Sequence, residues 1–169
     1  SSVFDRAYCT VPVCGPSRAA VMSGYSPAHT GILANDSDWK QFLKPEHIWT
    51  YQIRQQGYFM GTVGKVFHGY RPQPDGVYSA LYDTEKFKME WYPRTQHKEH
   101  GGMHGRGWDG DEHRYYDANV ATTVIDFLDN YKGSAPFWYE AGFHHPHVPF
   151  YAPNRIFDSI NLDDIIMPE

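Results

Sequence analysis

Residues 45–64, PEHIWTYQIRQQGYFMGTVG, decide the fold class because a helical pattern there runs directly into a strand pattern. Pro45 suits a first helical turn, which predicts a helix over 45–56 with Gly57 at its carboxyl-terminal cap. The apolar run YFMGTV predicts a strand over 58–63. A polar stretch that includes Lys65 follows at once, so the segment predicts a helix, a strand and a polar loop in succession.

The same order recurs in the C-terminal half. Apolar residues at helical spacing predict a helix over 112–131, with Asp111 as its N-cap and Lys132-Gly133 as its stop. FWYEAG predicts a buried strand over 137–142. Three prolines in HHPHVPFYAP predict an extended loop without regular structure over 144–153.

Two such units predict an α/β fold with a mostly parallel sheet flanked by helices. Ligands bind beyond the carboxyl ends of the strands in such sheets, where Lys65, His68 and His144 would lie. Residues 69–110 lack a clear period and are longer than a passive connection, so we interpret them as a substrate-facing insertion. The aromatic residues expected in the core, without a chemical role, are Tyr115, Tyr116, Phe137, Trp138 and Tyr139.

Composition narrows the classes of function. The chain has 169 residues, of which 41% are hydrophobic and 17% aromatic, and this argues against disorder despite a mean hydropathy of -0.61. A net charge of -5 provides no global basic field for nucleic acid, so an anionic ligand must be bound locally. No apolar run approaches the roughly 20 residues of a membrane-spanning helix.

VPVCGPSRAAVMSG, residues 11–24, is the most specific segment for chemistry. Pro16 suits the first turn of a helix, which places Cys14 at the helix amino end. Unpaired backbone N–H groups and the helix dipole favour an anion there, and Arg18 adds a positive fork suited to a tetrahedral oxyanion. A thiolate at Cys14 would be stabilised by the same features, so a reactive cysteine is plausible.

Other interpretations of these residues remain open. Cys14 could be an inert thiol, or could form a small disulfide loop with Cys9. A cysteine phosphatase is disfavoured because those enzymes separate the cysteine from the arginine by five residues, whereas three intervene before Arg18 here. Lys65 alone could be a solvated surface residue, and His68 alone a hydrogen-bonded structural histidine.

Two histidine groups raise the question of a metal. A zinc site at His144, His145 and His147 is disfavoured because zinc needs four ligands of compatible geometry and Pro146 stiffens the run. His145 is most simply a solvated or packing residue. The second group is expected to form an exposed loop rather than a metal site and comprises His97, His100 and His104.

Three motifs carry a resemblance to a known family. CGPSRAAVMSG (14–24) and GYFMGTVGKVFHG (57–69) resemble the two signatures of the type I, formylglycine-dependent sulfatases, with Ser23 where threonine is usual. GFHHPHVPFYAP (142–153) is similar to a loop of the branch that contains iduronate-2-sulfatase. The resemblance implies an alkaline phosphatase superfamily fold.

The resemblance also implies a reaction. A maturation enzyme would oxidise Cys14 to formylglycine, whose hydrate carries two hydroxyls on one carbon. One hydroxyl would attack the ester sulfur, and the other would lose its proton and expel sulfate. The implied activity is that of a sulfuric ester hydrolase acting on a sulfated small molecule or carbohydrate.

Roles for the remaining site residues follow from the same resemblance. Arg18 and Lys65 would hold the formylglycine and the sulfate oxygens. His68 would be the proton partner of a hydrate hydroxyl, and His144 would meet the leaving oxygen as a general acid or by a hydrogen bond. His147 would shape that loop and, with Lys65 and His144, bind substrate.

A divalent cation, in this family generally calcium, is implied as well. Residue 14, as formylglycine, would be one ligand, and the other ligands would lie outside the chain because Asp163 and Asp164 match neither of the family's metal-binding elements. We therefore expect 1–169 to be a central fragment of a catalytic domain that is inactive alone. Family habit suggests a periplasmic or secreted protein.

Two alternative functions remain. The first is a phosphate or phosphonate ester hydrolase of the same superfamily. The second is a non-catalytic binder of sulfated sugars whose Cys14 is never oxidised. The relative activity on matched aryl esters separates the first from a sulfatase, and the oxidation state of Cys14 separates the second.

Overall fold

A computed structural model describes residues 2–68, 80–83, 106–108, 115–148 and 150–167. The α-helices are α1 (Cys14–Ser23), α2 (Pro27–Thr30), α3 (Trp49–Gln55), α4 (Tyr116–Asn130) and α5 (Asn154–Asp158). The strands are β1 (Phe59–Gly64), β2 (Arg106–Trp108), β3 (Phe137–Gly142) and β4 (Tyr151–Pro153). Short 3-10 helices span Trp39–Gln41, Pro45–His47 and Leu162–Asp164.

The strands pair in parallel, as expected for an α/β fold. β1 pairs with β3 from Phe59 opposite Phe137 to Gly64 opposite Gly142, and β2 pairs with β4. Because β1 and β3 end at the same level, the segments that follow them leave the sheet side by side. Lys65 and the loop after Gly142 therefore start as neighbours.

Helices cover this sheet through apolar side chains. α4 contacts both β1 and β3, and its Val120 is fully buried with Val63 of β1 and Tyr116. A larger cluster lies around α1, α3 and Met60 of β1. Its buried members are Ala19, Met22, Ile32, Trp39, Leu43, Ile48, Met60, Phe67, Leu81 and Tyr82. None of the helices in the described ranges is both long and apolar enough to cross a membrane.

The helix predicted over 45–56 is interrupted. It consists of a 3-10 turn and α3, separated by Ile48 in an extended conformation with φ -106° and ψ 127°. Ile48 is fully buried, so core packing at this position outweighs the continuity of the helix. Gly57 does close the segment, because its φ is 86° and its N–H donates to the Arg54 carbonyl. β1 then begins one residue later than predicted.

β3 has its predicted bounds, but its predicted burial is wrong, and α4 begins later than predicted. α4 covers 116–130 of the expected 112–131. Its N-cap is Tyr115, which is extended with φ -63° and ψ 142°, and not the predicted Asp111, which lies outside the described residues. Phe137 and Trp138 are each 41% exposed and are not core residues. The Trp138 ring contacts Trp49 and the Phe137 ring contacts Phe127, while in the described part of the chain β3 is paired along one edge.

Of the other aromatic residues expected in the core, Tyr115 and Tyr116 are buried as predicted. Tyr139 is half-buried and packs against the cluster of Val63, Tyr116 and Val120.

The predicted loop over 144–153 contains regular structure, which corrects our expectation. Its last residues form β4, and Pro153 takes the final strand position, where the missing N–H interrupts no further pairing. Most of the predicted insertion over 69–110 lies outside the described residues, apart from 80–83 and β2.

Candidate active site

The amino end of α1 places Cys14 at the first helical position, half-buried and as a free thiol. The preceding Val13 gives no side-chain cap. Asn35 acts instead: its Oδ1 accepts the Gly15 N–H at 2.7 Å, and its Nδ2 lies 3.7 Å from the Cys14 Sγ. A side-chain donor from a distant segment thus faces the predicted reacting residue.

Arg18 ties α1 to the loop after β1. Its Nη1 donates to the carbonyl oxygens of Lys65 at 2.6 Å and Val66 at 2.9 Å. A guanidinium has five N–H donors, so other donors remain for an anion. Arg18 therefore holds the backbone that carries Lys65, in addition to the oxyanion contact predicted for it.

Lys65 lies where the ends of β1 and β3 meet. Its backbone N–H donates to the Gly142 carbonyl at 2.7 Å, and a Cβ at residue 142 would overlap the Lys65 backbone. The side chain is only 3% exposed. Burial and the nearby Arg18 charge lower the pKa of Lys65, whereas Cys14 opposes the shift.

The predicted histidines share this positive environment. Burial first, then the charges of Lys65, Arg18 and His147, lower the pKa of His68. Burial and the charges of Lys65, His147 and His145 lower the pKa of His144 to about 4, opposed by Asp117. The His144 and His147 ring centroids are 4.8 Å apart. The Nδ1 of His68 is buried and has no hydrogen-bond partner among the described residues.

The loop that carries His144 is held by Asp117 in the first turn of α4. Its Oδ1 accepts the His144 N–H at 2.6 Å, and its Oδ2 accepts the His145 N–H at 2.9 Å. The His145 Nδ1 also lies 2.9 Å from Oδ2. His145, expected to be solvated or only packed, is thus a hydrogen-bonded element of the site.

A cleft of about 650 Å³ brings Cys14, Arg18 and Lys65 together. Trp49 and Trp138 line another part of this cleft. Within the described ranges, no group of three His, Cys, Asp or Glu side chains could hold a metal ion. His97, His100 and His104 lie outside those ranges, and Asp163 and Asp164 form an exposed 3-10 turn.

The family model described as Sulfatase matches residues 1–161. The chain belongs to the sulfatase family. It is 29% identical to a sulfatase of Formosa agariphila and 26% identical to human iduronate 2-sulfatase, over 98% and 99% of its own length. This sulfatase chain covers 36% and 32% of those two proteins, so it spans about a third of the curated relatives it matches.

A solved structure agrees with the fold. The protein, solved in complex with its substrate D-glucosamine-2-N,6-O-disulfate, matches 85% of the sulfatase chain and 27% of its own, with a TM-score of 0.54 and 19% identity. The fold is accordingly of the alkaline phosphatase type. The similarity to iduronate 2-sulfatase is modest and supports the family more strongly than the branch.

Sequence reasoning missed three residues of the candidate site. Asn35 and Asp117 act through contacts that span 21 and 27 residues of chain, and no local pattern marks such contacts. Glu140 lines the cleft and accepts a hydrogen bond from the Tyr82 hydroxyl at 2.5 Å, while burial raises the pKa of its carboxyl. A lone acidic residue in an aromatic strand was its only signal.

Proposed function

We propose that the intact protein hydrolyses a sulfate ester of a carbohydrate. The convergence of Cys14, Arg18 and Lys65 in one cleft at the amino end of α1 carries this proposal. A helix amino end and two cations favour an anion in a molecule whose overall charge is -5. The carbohydrate class is supported by the sugar in the related solved structure and by the name of iduronate 2-sulfatase.

The environment of residue 14 fits a formylglycine. The thiol is free and faces the cleft, and the Asn35 amide nitrogen lies 3.7 Å from its sulfur, where an oxygen would meet a donor. When present, formylglycine supplies as its hydrate the nucleophilic hydroxyl for the ester sulfur. Asn35 would orient that side chain.

Arg18 and Lys65 would bind the charged oxygens of the ester. Lys65 reaches them from a buried position, where a charge is weakly screened by solvent. Arg18 would do so with donors other than the two hydrogen bonds that fix the Lys65 and Val66 carbonyls. This arrangement orients the sulfur relative to residue 14.

The two histidines would handle protons. The Nδ1 of His68, which has no hydrogen-bond partner among the described residues, is suited to accept a proton from a hydroxyl on residue 14. A free-state pKa of about 4 keeps His144 neutral at pH 7, so it would donate one N–H to the leaving oxygen. A bound anion would oppose the surrounding positive charge and raise this pKa, which favours proton donation in the complex.

A calcium ion is expected for the family, but the described residues do not form a site for it. No cluster of three His, Cys, Asp or Glu side chains that could bind it is present in the described ranges. Residue 14, as formylglycine, is the one ligand that we assign.

The decisive experiment uses the intact protein produced together with a formylglycine-generating enzyme. Mass spectrometry of the Cys14 peptide should show the aldehyde in place of the thiol. Initial rates on matched aryl sulfate, phosphate and phosphonate esters should be highest for the sulfate, and Cys14→Ala should abolish them.

The other outcomes identify the alternatives. A preference for the phosphate or phosphonate would assign a different ester. An intact thiol together with binding of sulfated sugar would assign the non-catalytic binder.

The compartment is part of the proposal. We expect the intact protein outside the cytoplasm, in the periplasm or secreted, because sulfatases commonly act there. Cell fractionation with a cytoplasmic marker enzyme tests it, and recovery with that marker would contradict it.

A further inference from the structure

Asp117 joins α4 to the loop after β3 through both of its carboxylate oxygens. The oxygens accept the N–H groups of two consecutive residues, His144 and His145, and the second oxygen also contacts the His145 ring. Since an ionised carboxylate only accepts hydrogen bonds, the His145 Nδ1 must carry the hydrogen in that contact. Three hydrogen bonds thus converge on one side chain.

The element that carries Asp117 is firmly anchored. α4 packs on both strands of the sheet, and Val120, one turn along from Asp117, is fully buried with Val63 of β1. The preceding residue, Tyr116, is 4% exposed, and its ring meets that of His144 edge-on at a centroid distance of 5.9 Å. α4 therefore contacts both the backbone and the ring of His144.

These contacts determine where the His144 ring lies. His144 follows β3 by two residues, in a segment that pairs with no strand among the described residues. Its ring lies beside that of His147 and near the charge of Lys65. A loop residue is precise only if its backbone is held from a rigid element, and Asp117 supplies that attachment.

We infer that Asp117 is a positioning residue, which fixes His144 against the leaving oxygen of the bound ester. This inference rests on the proposed function for the role of His144. Asp117 itself touches no reacting atom: it acts through the backbone of His144 and the ring of His145. Its loss should therefore slow turnover more than it weakens substrate binding.

The kinetic test compares Asp117→Ala and Asp117→Asn with Asp126→Asn in the intact, matured protein. Asp126 lies on an exposed face of α4 and is the matched control for removing a charge from this helix. We expect Asp117→Ala to lower kcat about 100-fold, the typical effect of a small misplacement, with KM nearly unchanged. Asp117→Asn keeps one acceptor oxygen, so its kcat should lie between those of the wild type and Asp117→Ala. The kcat of Asp126→Asn should equal that of the wild type.

Two kinetic outcomes would overturn the inference. The first is a folded Asp117→Ala protein with wild-type kcat. The second is a loss of kcat no larger than the loss of folded protein measured by circular dichroism, since that result describes a structural residue only.

A second measurement is independent of catalysis. In nitrogen-15 spectra of histidine-labelled protein, His145 should carry its hydrogen on Nδ1, and Asp117→Ala should move it toward Nε2. An unchanged His145 tautomer in Asp117→Ala would contradict the hydrogen bond between Asp117 and the His145 ring. If the wild type hydrolyses no sulfate ester, the proposed function fails, whereas these spectra still report whether Asp117 holds the loop.

Discussion

The side chain of Lys65 is a cation buried inside the protein, and its removal from water costs free energy. Its side chain is 3% exposed, and burial is the first cause of its lowered pKa. A buried charge is retained against this penalty where function requires it, which is consistent with the predicted contact to an anionic ester. Activity and stability should therefore respond to Lys65 in opposite directions.

Substituting Lys65 tests this opposition. Lys65→Met should lower kcat/KM for an aryl sulfate about 10- to 150-fold, the equivalent of one charged hydrogen bond. Its urea midpoint at pH 7 should not fall, because the substitution removes a desolvated ammonium. Lys132→Met, at an exposed position, is the control and should change neither quantity.

The pH dependence of Lys65 gives a second measurement. Since its folded pKa is lowered, the unfolded chain binds more protons between that pKa and 10.5, and stability rises with pH across this window. Lys65→Met should lack that rise. A variant as active as the wild type, or one with the same rise, would contradict this account.

His144 should make the protein less stable in mild acid. Its pKa is about 4 in the folded protein and 6.5 in the unfolded chain, so the unfolded state binds more protons between these values. Stability should accordingly fall as pH drops from 6.5 to 4, measured as urea midpoints. His144→Asn should reduce the slope without abolishing it, because the pKa of His68 is lowered as well. An unchanged slope would show that burial of His144 is not coupled to folding.

At the scale of elements, the site depends on how closely β1 and β3 approach at their ends. Gly64 ends β1 with a φ of 79°, and a Cβ there would collide with the Gly142 carbonyl and Val120. Gly24, at the end of α1, has a similar φ of 73° with open space around it. An alanine at Gly24 would therefore introduce backbone strain alone, whereas an alanine at Gly64 would introduce the same strain and a steric clash.

Alanine at these two positions should have different effects. Gly24→Ala should cost about 1–2 kcal/mol, which is the strain of the left-handed region alone. Gly64→Ala should add a further ~1–3 kcal/mol from overpacking. Urea midpoints of the two variants provide the comparison, and equal losses would show that the strand ends can separate freely.

The outcome of the sequence predictions reflects the range of each interaction. Pro136 and Gly142 bracket β3, and local punctuation of this kind predicted its bounds. The break at Ile48 was not predicted because burial in the core, a tertiary effect, decides it. The same holds for Asn35, whose hydrogen bonds reach across about twenty residues without any periodic signal.

The placement of Lys65 and His144 was predictable for a different reason. In a parallel sheet, residues that follow two neighbouring strands must meet at one edge, whatever the side-chain details. The register from Phe59–Phe137 to Gly64–Gly142 is that case. The topology of the sheet determines that Lys65 and His144 lie at the same edge. The hydrogen bonds that fix their exact positions depend on tertiary packing.

At the scale of the whole molecule, burial is uneven. Met60 and Val63 of β1 are fully buried, with α4 on one side of the strand and the larger core cluster on the other. The Met60 N–H donates to the Asp83 Oδ2 and the Met60 carbonyl accepts the Asp83 N–H, so β1 has this partner in addition to β3. By contrast, every residue from 155 to 167 is exposed. Local stability should follow this gradient, because opening a segment costs in proportion to the contacts it breaks.

Hydrogen exchange of the chain 1–169 measures that gradient directly. The amides of β1 should exchange most slowly, through global unfolding, because no smaller opening exposes them. The amides of 159–167 should exchange near the rate of unstructured peptide, since few contacts oppose their opening. β3 should lie between, because it shares the ladder of β1 while Phe137 and Trp138 remain partly exposed. Protection in 159–167 equal to that of β1 would mean that these two segments unfold as one unit, which would contradict the stability expected from their different burial.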